Sequence, residues 1–526
     1  ELSVDKDSLI AGPSLQGFAT RIDTPAPMPN MGLWVYPYQT LFDPYAAAVL
    51  LNNTGFMPGN TSNPYYDSTK NWSSPTIRTY PLDHEKAGQD LDAIIGYARA
   101  DIPPRLEAAQ QLTSVLRALG IPVDLRTSWP PFGFPIQDGD FHFYTAGWVL
   151  TGNRVPMNLQ MYISEYAYPW GPNYIYFQDL EYDYWAERFL NATSITSAHE
   201  AALECQRILL EKVASVWLWS SKSYEAYRGG WLNMINMRLG YSFNNQWGYL
   251  FTYYQDYPVP HALRVGLLQI TGLNPILDPP NEVMESVFSH LMYLNPYKPH
   301  VIGQSPAGGD LPWLAKDWRY WVDDANRAHV EFALEKDIVW HDGAQFTAYD
   351  VNYTIWLIKS YPDSWYYPYV EHVAETVIHN DYDIEIIFDI PSIWTLYNIG
   401  LYIFILPKHL PPVDIRVGTG AWKYSPIQPV DKILLTANTD FWLTPLYGEI
   451  DFVYYWNLSQ FPRNGSYRIG LSDLVMFAKS YGSQGNPPTP GWEPGCDFAT
   501  PSCIIGLSDL VTLARNYGKT WGEYDP

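Results

Sequence analysis

The stretch Val339-Trp-His-Asp-Gly343, followed by Phe346-Thr-Ala-Tyr-Asp-Val351, decides the fold of this chain. Asp342-Gly343 is typical of a tight turn, and Thr347 is a good N-cap for the helix that the next residues predict. Asp350 falls in the first turn of that helix, where a negative charge complements the helix dipole. Because each polar residue already has a structural role, we assign no chemistry to this stretch.

Strands and helices alternate on both sides of this stretch. Strands are predicted at Arg264–Ile270, Ala328–Leu334 and Asp383–Ile390, and helices at Asn281–Tyr293 and Asp350–Tyr361. The proline-bearing stretch Tyr257–His261 marks a domain boundary before the first of these strands. Residues 261–457 are therefore predicted to form one α/β lobe.

The first 260 residues predict a second α/β lobe. Arg105–Leu119 carries apolar residues at helical spacing, and Gly120 follows as a C-terminal cap. Strands are predicted next at Ile121–Leu125 and Asp140–Trp148, and the second of them ends on a Gly-Trp turn.

The C-terminal segment, residues 458–526, contains an internal repeat. Ile469–Gly482 recurs as Ile505–Gly518, with a serine at each helix N-cap and a glycine at each C-cap. Two such helices can bury their apolar faces only against each other, so the segment predicts a compact two-helix module. Cys496 and Cys503 lie close together in a Gly/Pro-rich turn, which favours a disulfide and an oxidising compartment.

The composition narrows the function classes. A chain of 526 residues with 47% hydrophobic residues is long enough for two or three domains. Lys and Arg total 32 against 55 Asp and Glu, and the net charge of -23 repels phosphate backbones, so nucleic acid is not expected as a partner. The 42 Tyr and 22 Trp suit a sugar-stacking or peptide-gripping cleft, and they suit a subunit interface equally well.

The chain is expected to be exported from the cell. The longest apolar run, Ile393–Pro407, is too short for a membrane span. Asn-x-Ser/Thr sequons begin at Asn52, Asn60, Asn71, Asn191, Asn352, Asn457 and Asn464, and all but Asn352 are taken as possible N-glycosylation sites. Cys205 lies in an amphipathic run and is predicted to be a buried core thiol.

The ordered strings of residues 261–457 resemble family 5 of the extracellular solute-binding proteins of ABC importers. The strings that flank the opening stretch are Asn274-Pro275 with Glu282–Leu291, Leu314–Trp318, Ile405–Leu410, Gly418–Gly420 and Asn438–Trp442. The resemblance implies a two-lobed periplasmic-binding-protein-like fold of class II, an ABC permease as partner, and neither enzyme activity nor a cofactor.

Residues 1–260 resemble the lobe of that family which usually comes after these strings. The lobes are therefore in permuted order, and two explanations stay open: circular permutation, or formation of Glu1 by processing of a longer precursor. The resemblance also bears on the ligand, because peptide-binding members carry acidic residues just after the Gly-Trp turn. The corresponding stretch here, Gly147–Arg154, has none.

Three aromatic residues are candidates for ligand binding. Trp148 follows a glycine at the end of a predicted strand, where clefts of α/β lobes open, and Tyr293 and Trp422 follow the same logic. A packed core position is the alternative interpretation for each. Without the acidic residues, an oligosaccharide stacked on Trp148 is expected over a peptide.

The repeat of residues 458–526 resembles a dockerin, whose loops hold calcium through Asp and Asn oxygens. Asp473 keeps the last position of the first loop, but Pro462, Asn464 and Ser466 occupy the upstream ones. Only Asp497 and Asp509 are left in the second loop, so no metal is expected. A Cys496–Cys503 disulfide is expected to close that loop instead, and a cohesin-like partner is one possibility.

Two functions from different classes are left open. The first is capture of an oligosaccharide or peptide at the cell surface for an ABC importer. The alternative is an archaeal-type structural surface protein whose lobes assemble into a homo-oligomer, filament or surface layer. A hydrolase is not expected, because the chain contains no Gly-x-Ser-x-Gly elbow beside His341-Asp342.

Overall fold

The computed structural model describes residues 1–26, 34–128, 136, 138–148, 157–222, 226–227, 229–233, 245–255, 262–267, 272–293, 311–412, 415–428, 432–441 and 449–454. They belong to two compact units. Unit 1 comprises Glu1–Lys222 with Ser392–Trp394, and unit 2 comprises Ser223–Pro391 with Thr395–Pro526. Both contain helices and strands, which confirms the α/β fold class. The domain limits at 260 and 457 stay predictions.

Unit 1 contains five of the α-helices and seven of the strands among the described residues. The helices are α1 Lys6–Ala11, α2 Pro44–Asn53, α3 Pro103–Ala118, α4 Leu180–Leu190 and α5 Ile195–Glu211. The strands are β1 Ala19–Arg21, β2 Pro58–Ser62, β3 Thr76–Arg78, β4 Ile94–Arg99, β5 Val123–Ser128, β6 Phe143–Tyr144 and β7 Trp219–Ser221. Two 3-10 helices, Met157–Tyr162 and Ser164–Tyr166, precede α4.

A parallel sheet with the order β5-β4-β6 organises the part of unit 1 that contains Trp148. Helix α3 connects β4 to β5, as parallel pairing requires a crossover. The predicted cap Gly120 has φ +87° and lies so close to Thr76 that only glycine fits there. The strand predicted at Asp140–Trp148 is reduced to Phe143–Tyr144, and beyond it the side chain of Arg105 from α3 lies against Gly147.

Helices α4 and α5 pack together in the core of unit 1. Cys205 on α5 is fully buried and is a free thiol, which confirms that prediction. Ser392–Trp394 joins this core, since the Trp394 indole N–H donates to the Phe189 carbonyl at 2.8 Å. Arg78 is also buried and donates to the Leu119 carbonyl at 2.6 Å, which satisfies the C-terminal end of α3.

Unit 2 contains the other helices and strands. The helices are α6 Gln246–Phe251, α7 Glu282–Val287, α8 Ala348–Lys359, α9 Tyr367–Val370 and α10 Trp394–Leu401, whose first residue belongs to unit 1. The strands are β8 Trp231–Leu232, β9 Tyr253–Tyr254, β10 Ala262–Leu267, β11 Met292–Tyr293, β12 Leu311–Pro312, β13 Ala315–Val322, β14 Ala328–Leu334, β15 Val373–Asn380, β16 Asp383–Phe388, β17 Trp422–Tyr424, β18 Lys432–Ala437 and β19 Glu449–Tyr454.

Two four-stranded sheets organise unit 2. An antiparallel sheet has the order β13-β14-β16-β15, and α8 packs against β15 and β16. Strand β14 has the predicted bounds, because its alternating residues such as Val330 and Phe332 are fully buried. A mixed sheet has the order β10-β19-β18-β17, in which only β10 and β19 run parallel.

The helix predicted at Asn281–Tyr293 is half as long as expected. Asn281 caps it, but α7 ends at Val287, and Met292–Tyr293 form strand β11. Gly420 donates its backbone N–H to the Val287 carbonyl at 2.8 Å, so a distant loop occupies the acceptor that another helical turn would need.

In the described part of the chain, no helix combines the length and apolarity that crossing a membrane requires. The apolar run Ile393–Pro407 supplies core residues instead. Ile399, Ile403, Phe404 and Ile405 are all fully buried in unit 2. Burial inside the protein therefore accounts for the apolar character of this run.

Candidate ligand-binding site

Trp148 lies on the surface of unit 1 shortly after strand β6. Its side chain is 49% exposed, so it is not a core tryptophan. Its ring stacks on Tyr174, with ring centroids 5.2 Å apart and an interplanar angle of 24°. The pair presents a broad aromatic surface with polar edges, a geometry on which the C–H face of a sugar can stack.

Tyr174 belongs to an aromatic loop, Tyr166–Phe177, that is held in place by hydrogen bonds. The buried Asn173 amide donates to the Ile163 carbonyl at 3.1 Å and to the Phe177 carbonyl at 2.8 Å. The Tyr144 hydroxyl donates to the Tyr174 carbonyl at 3.1 Å. These bonds fix the backbone under the Tyr174 ring, so Trp148 rests on a preorganised partner.

Sequence analysis did not identify Tyr174 or the loop around it. The signal was available in the dense aromatic run of residues 166–177, interrupted by Gly171-Pro172. Tyr168 and Trp170 on this loop are 51% and 58% exposed, which adds apolar surface to unit 1. What the sequence could not supply is the contact with Trp148, since the two segments are far apart in the chain.

A positive charge lies against Gly147, the residue before Trp148. A Cβ built on Gly147 would lie 2.6 Å from Nη2 of Arg105, so the guanidinium packs directly on the glycine backbone. Burial lowers the pKa of Arg105, and the nearby Arg99 acts in the same direction. The position next to the Gly-Trp turn therefore holds a cation in this chain.

Tyr293 and Trp422 lie together in unit 2, where both are buried. Tyr293 is 7% exposed, with its ring edge-to-face against Trp247 at 5.8 Å and Trp313 at 5.0 Å. Burial raises the pKa of Tyr293 well above its ordinary value. Trp422 lines the same cleft, whose free space of about 20 Å³ holds roughly one water molecule. This placement favours packing roles, and ligand binding by either residue stays a prediction.

A larger cavity of about 270 Å³ lies elsewhere in unit 2 and was not singled out from the sequence. Its lining consists of Leu273, Asn274, Asp278, Ile415, Arg416 and Tyr424. The Asp278 carboxylate accepts the Asn274 backbone N–H at 2.7 Å, and the Arg416 guanidinium lies over the Tyr424 ring at 6.0 Å. These groups are engaged in local contacts, which leaves the Trp148 surface as the better candidate.

His341 and Asp342 have structural roles. The His341 ring donates from Nε2 to the Gly420 carbonyl at 2.9 Å and accepts the Gly418 N–H at Nδ1 at 3.2 Å. This pattern requires a neutral ring, and burial lowers the pKa of His341 to about 4. Asp342 pairs with His409 at 2.7 Å. Both ring nitrogens of His341 are thus occupied, and the ring cannot act as a base.

Metal-ligating side chains come together at one place among the described residues. Ligand atoms of Glu331, His379 and Asp383 lie within 4.8 Å of one another on the antiparallel sheet of unit 2. Glu331 is already paired with Arg319, and His379 lies 3.1 Å from Glu385. An arginine at the group opposes a further cation, so we assign no metal there, and the expectation that the protein holds no metal stays a prediction.

The possible N-glycosylation sites differ in their surroundings. Asn52, Asn60, Asn71 and Asn191 are exposed in unit 1. Asn352, the one sequon asparagine that was not taken as a glycosylation site, is partly buried and accepts a hydrogen bond from Thr376 at 2.6 Å. Asn457, Asn464, Cys496, Cys503 and the repeat of residues 458–526 lie outside the described residues, so all of these stay predictions.

Comparison with known proteins gave one family match and a set of solved structures. Residues 311–466 match the family described as "Bacterial extracellular solute-binding proteins, family 5 Middle". The match includes the stretch of residues 339–351 that decides the fold, and it ends beyond the predicted domain limit at residue 457. It confirms the resemblance to family 5 over the matched residues. The permuted lobe order and the dockerin-like module stay predictions. No curated protein matches the chain.

The solved structures that are similar to this chain include binding proteins of several bacteria. NikZ from Campylobacter jejuni, in complex with Ni(L-His), has 22% identity and a TM-score of 0.30 over 37% of this chain and 39% of its own. The oligopeptide-binding protein AppA from Bacillus subtilis, in complex with a nonapeptide, has 19% identity and a TM-score of 0.30 over 37% and 40%. OppA from Burkholderia pseudomallei has 16% identity and a TM-score of 0.30 over 37% and 42%. The alignments thus span about two fifths of these structures.

Proposed function

We propose that the protein is an extracellular solute-binding protein that captures an oligosaccharide for an ABC importer. The observation that carries the importer class is the match of residues 311–466 to family 5 of the extracellular solute-binding proteins. The structural role of His341 and Asp342 supports a binding protein over an enzyme, because the ring nitrogens of His341 are bonded to backbone groups. No cofactor is needed for this function.

The Trp148 surface is the proposed contact with the sugar. Its ring is half exposed and already stacked on Tyr174, so little conformational entropy is lost when a pyranose face covers it. A peptide is disfavoured, because its ammonium group would find Arg105 at Gly147 and no carboxylate in Gly147–Arg154. An unpaired ammonium beside a guanidinium weakens binding.

Calorimetric titration with neutral gluco- and manno-oligosaccharides and with short peptides tests the function. We expect sugar binding that Trp148→Ala abolishes or weakens at least about tenfold, as loss of a stacking aromatic does. Trp365→Ala is the matched control, since Trp365 is 55% exposed in unit 2 and should not affect binding. Tight peptide binding would refute the sugar assignment, and binding of no peptide and of no sugar, neutral or acidic, would favour assembly.

Assembly into a filament or surface layer is a second candidate because of an apolar surface on unit 1. Leu41, Phe42, Tyr45, Val49 and Leu50, on α2 and just before it, are each between 40% and 65% exposed. Several exposed apolar side chains within one short segment favour a protein interface. Native mass spectrometry over a range of protein concentrations tests this candidate, and Leu50→Glu should dissociate any oligomer that forms through this surface.

The proposal also includes residues 458–526, as a dockerin-like module closed by a Cys496–Cys503 disulfide. This module would attach the binding lobes to a cohesin-like partner or to a second copy of the chain. The acidic composition, with a net charge of -23, and the exposed sequons of unit 1 are compatible with a glycosylated extracellular surface. Mass spectrometry of the secreted protein would detect the glycans directly.

A further inference from the structure

We infer that the ligand captured at Trp148 carries a carboxylate, and that Arg105 binds it. The inference rests on the proposed function and deepens it from oligosaccharides in general to acidic oligosaccharides. It is carried by the position of the Arg105 guanidinium against Gly147, the residue that precedes the exposed Trp148.

Helix α3 holds the backbone of Arg105 at this place. It lies in the first turn of α3, two residues after the start at Pro103, and its backbone N–H donates to the Ile102 carbonyl at 3.0 Å. The side chain then extends to Gly147, where only the missing Cβ allows the guanidinium to approach the backbone. The two chain segments are thus arranged so that the cation lies against Gly147, the residue that precedes Trp148.

The Arg105 guanidinium has no hydrogen-bond or ion-pair partner within the described ranges of the chain. Arg99, its neighbour, differs in this respect: Asp101 binds the Arg99 guanidinium through both oxygens, one of them at 3.0 Å. Asp101 acts on Arg105 through its charge alone, so the two arginines and this aspartate together leave one net positive charge near Gly147. A half-buried guanidinium without a partner has donors to offer, and its planar fork matches a carboxylate.

The overall charge of the chain makes this local charge distinctive. With 55 acidic and 32 basic residues, the chain carries a net negative charge that repels anions at long range. Recognition of an acidic sugar therefore has to occur at short range, through a guanidinium that makes direct hydrogen bonds. A sugar ring stacked on Trp148 with its carboxylate on Arg105 would use both features at once.

Uronate trisaccharides and their methyl esters provide the test, because esterification removes the charge and keeps the sugar. We propose titrating galacturonate, mannuronate and guluronate trisaccharides, each beside its fully methyl-esterified form. The wild type should bind at least one acid about tenfold more tightly than its ester. Arg105→Gln should remove this preference without weakening the ester, whereas Arg105→Lys should retain part of it.

Arg126→Gln is the matched control, because Arg126 is an exposed arginine of unit 1 that is already paired with Asp124 at 2.8 Å. It should behave like the wild type, and thermal unfolding should show that all variants are folded. Equal binding of acid and ester in all three pairs would overturn the inference and leave oligosaccharide capture intact. Binding of no sugar at all, acidic or neutral, would overturn both.

Discussion

Trp148 and Trp422 differ in how much of each side chain water can reach, 49% against 2%. The buried ring of Trp422 contributes apolar contacts to the core of unit 2, and its removal would leave a cavity. The Trp148 ring stacks on Tyr174 and is half exposed, so its removal leaves a shallower surface and no enclosed cavity. The two residues should therefore contribute to different properties of the protein.

We predict that Trp422→Ala lowers the free energy of unfolding by about 3 to 5 kcal/mol, as loss of a buried tryptophan does. Trp148→Ala should lower it by less than about 1 kcal/mol, because the residue is half exposed. Urea unfolding followed by circular dichroism measures both. Comparable losses in the two variants would contradict the assignment of Trp148 to a ligand surface.

His341 contributes a pH dependence to stability because it is buried as a neutral ring. Burial lowers its pKa from the ordinary 6.5 to about 4. As the pH falls below 6.5, the unfolded chain takes up a proton that the folded protein refuses until pH 4. Stability should fall by about 1.4 kcal/mol per pH unit in this window, about 3 kcal/mol in all, with no effect above it.

Unfolding free energies at pH 7.5 and pH 4.5 for the wild type and His341→Asn test this dependence. The variant loses two hydrogen bonds and is less stable at pH 7.5, but the part of the pH dependence that His341 causes is absent. The difference between the two proteins should therefore shrink toward low pH. A difference that is the same at both pH values would contradict a neutral buried His341.

At the scale of elements, the stretches of unit 2 that resemble family 5 lie where loops contact the ends of helices. Gly418–Gly420 lies against the C-terminal end of α7, and the His341 ring fastens the same loop to the turn of residues 340–343. Asp350 caps α8 and also accepts the backbone N–H of Lys408 at 2.9 Å. The strings thus define how the elements of this unit are connected.

We predict that Gly418→Ala destabilises unit 2 strongly, because the new Cβ would lie 2.0 Å from the Val287 carbonyl oxygen. Gly343→Ala is the control, since no atom lies within 4 Å of a Cβ there and only its φ of +88° is unfavourable. That backbone strain costs about 1 to 2 kcal/mol. Thermal unfolding should show the larger decrease for Gly418→Ala, and an equal or smaller one would argue against the close approach.

At the scale of the whole molecule, the three cysteines have two different roles. One is a buried structural thiol, and the other two are predicted to form a disulfide. Cys205 is buried in unit 1, and burial raises the pKa of its thiol far above the ordinary value. A thiol in this environment is neither nucleophilic nor accessible to reagents. Cys496 and Cys503 are predicted to be joined in the module of residues 458–526.

We predict no thiol labelling of the native protein and labelling of a single cysteine, Cys205, after denaturation without reductant. Denaturation with reductant should make all three cysteines of the chain reactive. Intact-mass spectrometry counts the labels. Three labels without reductant would exclude the disulfide, and labelling of the native protein would contradict the burial of Cys205.

The sequence alone determined features that depend on neighbours in the chain. The turn at Asp342-Gly343, the cap and first turn of α8, strand β14 and the end of α3 at Gly120 agree with the structure. Dihedral preferences, caps and hydrophobic periodicity act over a few residues, so the pattern contains the information. The family resemblance rests on the same local strings.

Only the tertiary structure decided the burial of Trp422, the length of α7 and the surroundings of Trp148. Helix α7 ends early because Gly420 binds its last carbonyl, and this contact joins residues far apart in the sequence. In the same way, Arg105 of α3 reaches Gly147, and Tyr174 of the aromatic loop reaches Trp148. Packing and long-range hydrogen bonds set these features, and no local pattern encodes them.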